Sequence, residues 1–193
     1  MKPLLLLSRA IDTVNRWVGA IVIWFVLAAV LISAGNAVMR KAFNIGSNAY
    51  LELQWYLFAA VFLLGAGYTL LRNAHVRIDF VSTRLSPRMR NWVDIVGIVV
   101  FLLPLTLILI RLSWPLVMNA WISGEMSQNA GGLVRWPVLA LLPAGMMLLF
   151  AQAISELIKR VAFLRGIGSD SIPEEHDPVA AALLVESKQE KPA

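Results

Sequence analysis

Trp17-Val-Gly-Ala-Ile-Val-Ile-Trp-Phe-Val-Leu-Ala-Ala-Val-Leu-Ile-Ser-Ala-Gly-Asn-Ala-Val-Met39 carries no charged side chain. A bilayer core of about 30 Å needs about 20 apolar residues at about 1.5 Å rise each, and this stretch meets that demand. Three further stretches do the same. The second runs from about Tyr50 to Leu71 and is charge-free after Glu52; the third runs from Trp92 to Trp121, interrupted only by Asp94 and Arg111; the fourth covers Trp136 to Leu157. Trp17, Tyr50, Trp55, Trp92, Trp114, Trp121 and Trp136 lie near the ends of these spans, where an amphipathic ring sits at headgroup level.

The reading that follows is an all-α integral membrane protein with four transmembrane helices, at about 17–39, 50–71, 92–121 and 136–157. They form one membrane domain over residues 1–165, followed by a flexible tail, 166–193. The first span is too long for the h-region of a cleaved signal peptide, about 7–15 residues, so it is read as a retained helix.

Composition supports the bilayer as solvent. Of 193 residues 59% are hydrophobic and 15% charged, and mean hydropathy is +0.71, more apolar surface than one soluble core of this size hides. There is no cysteine, which excludes disulfides, thiolate zinc sites and iron–sulfur clusters. The two histidines, His75 and His176, are too few and too far apart for a haem or metal cluster, and no cofactor is expected. A net charge of +5 raises the question of nucleic acid, but the basic residues sit between the spans rather than in one stripe, so membrane orientation accounts for them and nucleic acid does not.

That orientation follows from the distribution of Lys and Arg. Lys2, Arg9 and Arg16 precede the first span; Arg72, Arg77, Arg84, Arg88 and Arg90 lie between the second and third; Lys159, Arg160 and Arg165 follow the fourth. Arg40, Lys41, Arg135 and Arg111 fall to the other side. The positive-inside rule then puts both termini and the central loop in the cytoplasm.

Local signals refine the spans. Ser86-Pro87 reads as an N-cap followed by proline at the first helical position, launching the third helix. Pro104, Pro115 and Pro143 each remove a backbone donor and predict bends rather than breaks. Small residues four apart, at Ala29, Ser33 and Ala37, at Gly65 and Thr69, and at Ala140 and Ala144, are candidates for close helix packing. Ile78, Val81, Leu85 and Met89 recur at helical spacing among Arg84, Arg88 and Arg90. They predict a short interfacial helix on the membrane lipid of the inner leaflet, between the second and third spans.

Few residues carry chemistry. Arg72-Asn-Ala-His-Val-Arg-Ile-Asp79 is the densest polar group in the chain; Arg72, His75, Arg77 and Asp79 could knot the turn, dock another protein or form an ordinary solvated loop. Glu52 and Arg111 are read as the two charges nearest the hydrocarbon. Counting along their helices brings them to similar depth, so they can pair, or Glu52 can complement its helix dipole while Arg111 reaches the interface, or either can meet a partner subunit. No phosphate loop, zinc-type His-Glu-x-x-His, Gly-x-Ser-x-Gly elbow or paired midplane carboxylate occurs, so an enzyme is not expected. Spans without charge at their centres fit a helper packed on a larger transporter better than an autonomous carrier. An orphan scaffold, or the anchor subunit of another inner-membrane complex, is the alternative.

Three stretches carry a resemblance. Trp55-Tyr-Leu-Phe-Ala-Ala-Val-Phe-Leu-Leu-Gly-Ala-Gly-Tyr-Thr-Leu-Leu-Arg-Asn-Ala-His-Val-Arg-Ile-Asp79, then Leu85-Ser-Pro-Arg-Met-Arg-Asn-Trp-Val-Asp94, then Ser127-Gln-Asn-Ala-Gly-Gly-Leu-Val-Arg-Trp-Pro137 with a helix ending Glu156-Leu-Ile-Lys-Arg160 together resemble the small permease family of TRAP transporters, DctQ. The likeness covers roughly Trp17 to Arg165. It implies a bacterial inner-membrane subunit that works with a large many-helix permease subunit and a periplasmic solute-binding protein in sodium-coupled uptake of a small organic acid. It assigns no catalytic or substrate-binding residue to this chain.

Overall fold

The computed structural model describes residues 2–72 and 86–167. Within them the chain is helical throughout apart from its loops: α1 (Lys2–Phe43), α2 (Asn48–Leu71), α3 (Pro87–Gly97), a π-helical turn (Ile98–Leu102), α4 (Leu103–Ser123) and α5 (Trp136–Leu164). α3, the π turn and α4 run on as one rod, so four helices are long and apolar enough to cross a membrane. The Arg72–Asp79 group beyond Arg72, the central loop as far as Leu85, most of the expected interfacial helix and the tail beyond Ile167 lie outside the described residues.

Each span is longer than its apolar stretch. α1 begins fifteen residues before Trp17, because Ser8, Asp12 and Asn15 continue the face that Gly19, Val22 and Ala29 present further along, at steps of three, four and seven residues. That stripe packs on α2 and α5. Helix α5 is central: it touches α1, α2 and α4, whereas α4 packs against α5 alone among the long helices.

Most large apolar side chains, including Trp24, Phe62, Phe101 and Ile122, point outward, as expected where lipid rather than water surrounds the bundle. Packing inside is by small residues. A Cβ on Gly145 would collide with the backbone carbonyl of Leu63, and one on Gly19 with the ring of Tyr68; Gly67 lies against Asn15 Oδ1 in the same way. The expected small-residue faces hold only in part. Ala29 is buried, but Ala37 and Ala144 are exposed, and it is Gly145, one position along, that meets α2.

The third span shows how a proline is absorbed. Ser86 has extended backbone and its Oγ accepts from Met89 N–H at 3.4 Å, with Pro87 opening α3, as expected of a cap. Buried positions then run Asn91, Ile98, Thr106, Ser113 and Ala120, seven apart except for one step of eight. The extra residue is taken up in the π turn, where Leu103 N–H bonds Ile98 O five residues back, immediately before Pro104. Proline cannot donate and crowds the carbonyl four residues earlier; the wider turn relieves both and returns the same face to α5. The buried hydroxyls on that face are satisfied by their own helix, Thr106 donating to Leu102 O (2.8 Å) and Ser113 to Leu109 O (2.6 Å), and Asn91 Nδ2 donates to Pro87 O (2.9 Å).

Candidate functional site

Two polar centres lie at opposite ends of the bundle. The first is built around Glu52, in the opening turns of α2 and 4% exposed. Between α4 and α5 the chain reverses at Gly124 (φ 63°), pairs Met126 with Val134 in an isolated antiparallel bridge, and turns again at Gly131 (φ 72°). Both turns need the left-handed backbone that glycine adopts without cost. Ser127 N–H donates to Leu133 O at 2.9 Å, closing the loop.

The loop closes onto the carboxylate. Glu52 Oε1 accepts from Ser127 Oγ and from Asn129 Nδ2 at 2.7 Å, and Oε2 accepts from Leu133 N–H at 2.7 Å. Asn48 Nδ2 donates to Ala130 O at 3.0 Å and Tyr56 Oη to Val134 O at 3.1 Å, so three turns of α2 hold the segment. Arg135 pairs with Glu125 across the loop's base, and Trp121 meets Trp136 edge to face at 4.6 Å between the helices it joins. The Ser127 to Pro137 stretch is therefore a strap across the helix ends.

Arg111 does not share this centre. It is exposed on α4 and makes no ion pair among the described residues, so Glu52 and Arg111 do not pair in this structure. Arg72, the other described candidate, stays local: its Nε donates to Tyr68 Oη at 2.9 Å and its guanidinium lies 5.3 Å from that ring, which in turn packs on Gly19 of α1. His75, Arg77 and Asp79 are outside the described residues.

The second centre was not singled out in the sequence. Charges buried with Glu52 are Glu156 and Arg160, both on α5, and not Arg111. Arg160 Nη2 reaches Asp94 Oδ2 on α3 at 3.2 Å, and its Nη1 reaches Glu156 Oε2 at 3.3 Å. Glu156 also pairs with Lys159, whose Nζ lies 3.2 Å from Asp12 Oδ2 on α1. Asp12 Oδ1 accepts from Ser155 Oγ (2.6 Å) and Gln152 Nε2 (2.9 Å); Asn15 Nδ2 donates to Gln152 Oε1 (2.9 Å), and the Ser8 and Ser155 hydroxyls are 2.7 Å apart. One connected network thus joins α1, α3 and α5.

A signal for it was present. Gln152, Ser155, Glu156, Lys159 and Arg160 fall at helical steps on one face of α5, and Ser8, Asp12 and Asn15 on one face of α1. Gln152, Ser155 and Glu156 fall inside the fourth span as read from the sequence, and Lys159 and Arg160 serve there for orientation alone. Neither centre has the composition of a metal site, and no group of three or more His, Cys, Asp or Glu suited to a metal occurs among the described residues.

The network's chemistry is structural. Its three carboxylates, Asp12, Asp94 and Glu156, share the two cations Lys159 and Arg160, and its amides and hydroxyls add hydrogen bonds to Asp12 and to one another. Such a cluster holds helices at fixed rotation.

No curated protein and no solved structure matches the chain. A family model, "Tripartite ATP-independent periplasmic transporters, DctQ component", matches residues 29–163, well over half the chain and including the Glu52 strap and the α5 part of the network. The chain therefore belongs to the DctQ family, the DctQ components of tripartite ATP-independent periplasmic transporters.

Proposed function

We propose that the chain is the small membrane subunit of a TRAP-type secondary transporter in a bacterial inner membrane. It supports a large many-helix permease subunit in sodium-coupled uptake of a small organic acid that a periplasmic binding protein delivers. In this reading both termini and the network of Asp12, Glu156 and Arg160 face the cytoplasm, and the Glu52 strap faces the periplasm. Residues 1–165 form the membrane domain and 166–193 a tail.

The observation that carries the reading is where the buried polar groups are spent. Glu52 holds a loop, and Asp12, Asp94, Glu156, Lys159 and Arg160 hold helices together, while many large apolar side chains of the spans face outward, fit to meet lipid or another membrane subunit. The family is a transporter component rather than an enzyme family, which agrees with this use of the charges. Arg77 and Asp79, with Arg72, are proposed to secure the connection between the second and third spans and to contact the large subunit.

Reconstitution tests it directly. The chain alone in proteoliposomes under an inward sodium gradient should accumulate no organic acid, and addition of its large subunit and binding protein should restore uptake. Uptake by the purified chain alone would make it an autonomous carrier.

A further inference from the structure

Among the described residues Arg111 is the one exposed charge within the four apolar stretches; Glu52 and Glu156 are buried, and Asp94 is partly buried against Arg160. Its depth is fixed by its neighbours. Trp121 lies against Trp136 at the strap end of the bundle, and from Trp136 to Glu156 of the buried network α5 runs 20 residues, about 30 Å, the thickness of a hydrocarbon core. Arg111 precedes Trp121 by ten residues, about 15 Å, so the third span carries a charge near mid-depth.

The chain gives this guanidinium nothing to pair with. Arg111 stands two residues before Ser113, about 200° round the helix from the seam of Thr106, Ser113 and Ala120 that packs on α5. Because α4 meets no other long helix, its far side is open. Pro104, Ile108, Pro115 and Met118 line that side with Arg111 at steps of three and four residues, and all four are exposed and apolar. Among the described residues Arg111 makes neither an ion pair nor a hydrogen bond.

An arginine inside hydrocarbon is costly unless it is paired or reaches water. Headgroups do not serve here. Helical side chains lean toward the amino end of their helix, which for Arg111 is away from the level of Trp121, and an extended arginine reaches about 7 Å, roughly half the distance to either interface. A second copy does not serve either, since a two-fold contact through this face sets Arg111 on Arg111. The only exposed carboxylate among the described residues, Glu125, lies in the strap and is paired with Arg135.

We propose that the Arg111 face of α4 is where the large subunit packs, and that Arg111 pairs there with an aspartate or glutamate at mid-depth on a large-subunit helix. The inference rests on the chain being the small subunit of its transporter, and it assigns the docking surface to the third span. Apolar surroundings strengthen such a pair relative to one at a wet surface, and they make loss of either member costly, because the other charge is left stranded.

Co-purification of the tagged chain with its large subunit in mild detergent tests the assignment. Arg111→Glu should lower recovery of the large subunit about tenfold or more, and Arg111→Lys much less. Each variant chain alone should elute as wild type in size-exclusion chromatography, since Arg111 has no partner within the described chain, so loss of the large subunit is not loss of the fold. With Arg111→Glu, replacing each membrane-embedded Asp and Glu of the large subunit by Lys in turn should restore recovery at one position. Wild-type recovery with Arg111→Glu would overturn this docking surface and leave the small-subunit reading intact, whereas absence of a wild-type complex would overturn both. Loss of recovery with rescue at no position would overturn the carboxylate pairing in favour of a lipid phosphate.

Discussion

A Cβ at Gly132 would stand 2.8 Å from Glu52 Oε1 and 2.6 Å from Ser127 Cβ, so the strap closes on the Glu52 carboxylate only because residue 132 has no side chain. Gly132→Ala should therefore lift the loop, at an overpacking cost of about 1–3 kcal/mol. Glu52→Gln should loosen it by another route, since one amide N–H₂ would face a donor where an oxygen now accepts. Both should speed thiol labelling of a cysteine placed at Gln128. Labelling at the wild-type rate in both variants would mean that the strap does not depend on Glu52.

The network between α1, α3 and α5 predicts a graded series. Arg160 lies between Glu156 and Asp94 with its side chain 2% exposed, whereas Lys159 is 21% exposed. Truncating one member of a buried pair strands the other's charge, at about 3–5 kcal/mol, so Arg160→Ala should lower resistance to denaturant in mild detergent by that order. Lys159→Ala should cost about 1 kcal/mol, because water screens what it leaves behind. Equal effects of the two substitutions would contradict the burial described.

Adjacent residues on α5 separate packing from mere smallness. Gly145 abuts the Leu63 carbonyl of α2, while Ala144 is exposed. Gly145→Val must push α2 and α5 apart and should reduce the yield of folded protein sharply in size-exclusion chromatography. Ala144→Val adds apolar surface facing outward and should leave the profile unchanged, within about 0.5 kcal/mol of stability.

Orientation is open to a labelling experiment. Cysteines at Asn44 and Gln128 should react with an impermeant thiol reagent added to intact cells from the periplasmic side, and cysteines at Ser82 and Ser169 should not, given the excess of basic residues on the side of the termini. The opposite pattern would invert the proposed topology.

Assembly tests the central segment. Asp79→Ala and Arg77→Ala should each reduce co-purification with the large subunit, and Arg88→Ala, at the start of α3, should change it little. Full co-purification of the first two variants would return Arg72 to Asp79 to an ordinary basic loop.

Four spans were legible in the sequence because insertion into a bilayer is decided window by window: about 20 apolar residues suffice wherever they occur, and Ser86-Pro87 marks a helix start with purely local chemistry. The same local logic set aside residues 2–16, which do not need the hydrocarbon yet continue α1, since their polar face has α5 to bind. Which buried group meets which was decided by the tertiary structure alone. Glu52 finds Ser127, Asn129 and Leu133 at separations of 75, 77 and 81 residues, and Asp12 finds Ser155 143 residues away, while Arg111 faces outward. Depth follows from counting along one helix. Partnership depends on the rotation of each helix about its own axis, and here that rotation is set by features with meaning only between helices: a glycine against a carbonyl, a π turn that restores a face, and an arginine shared by two carboxylates.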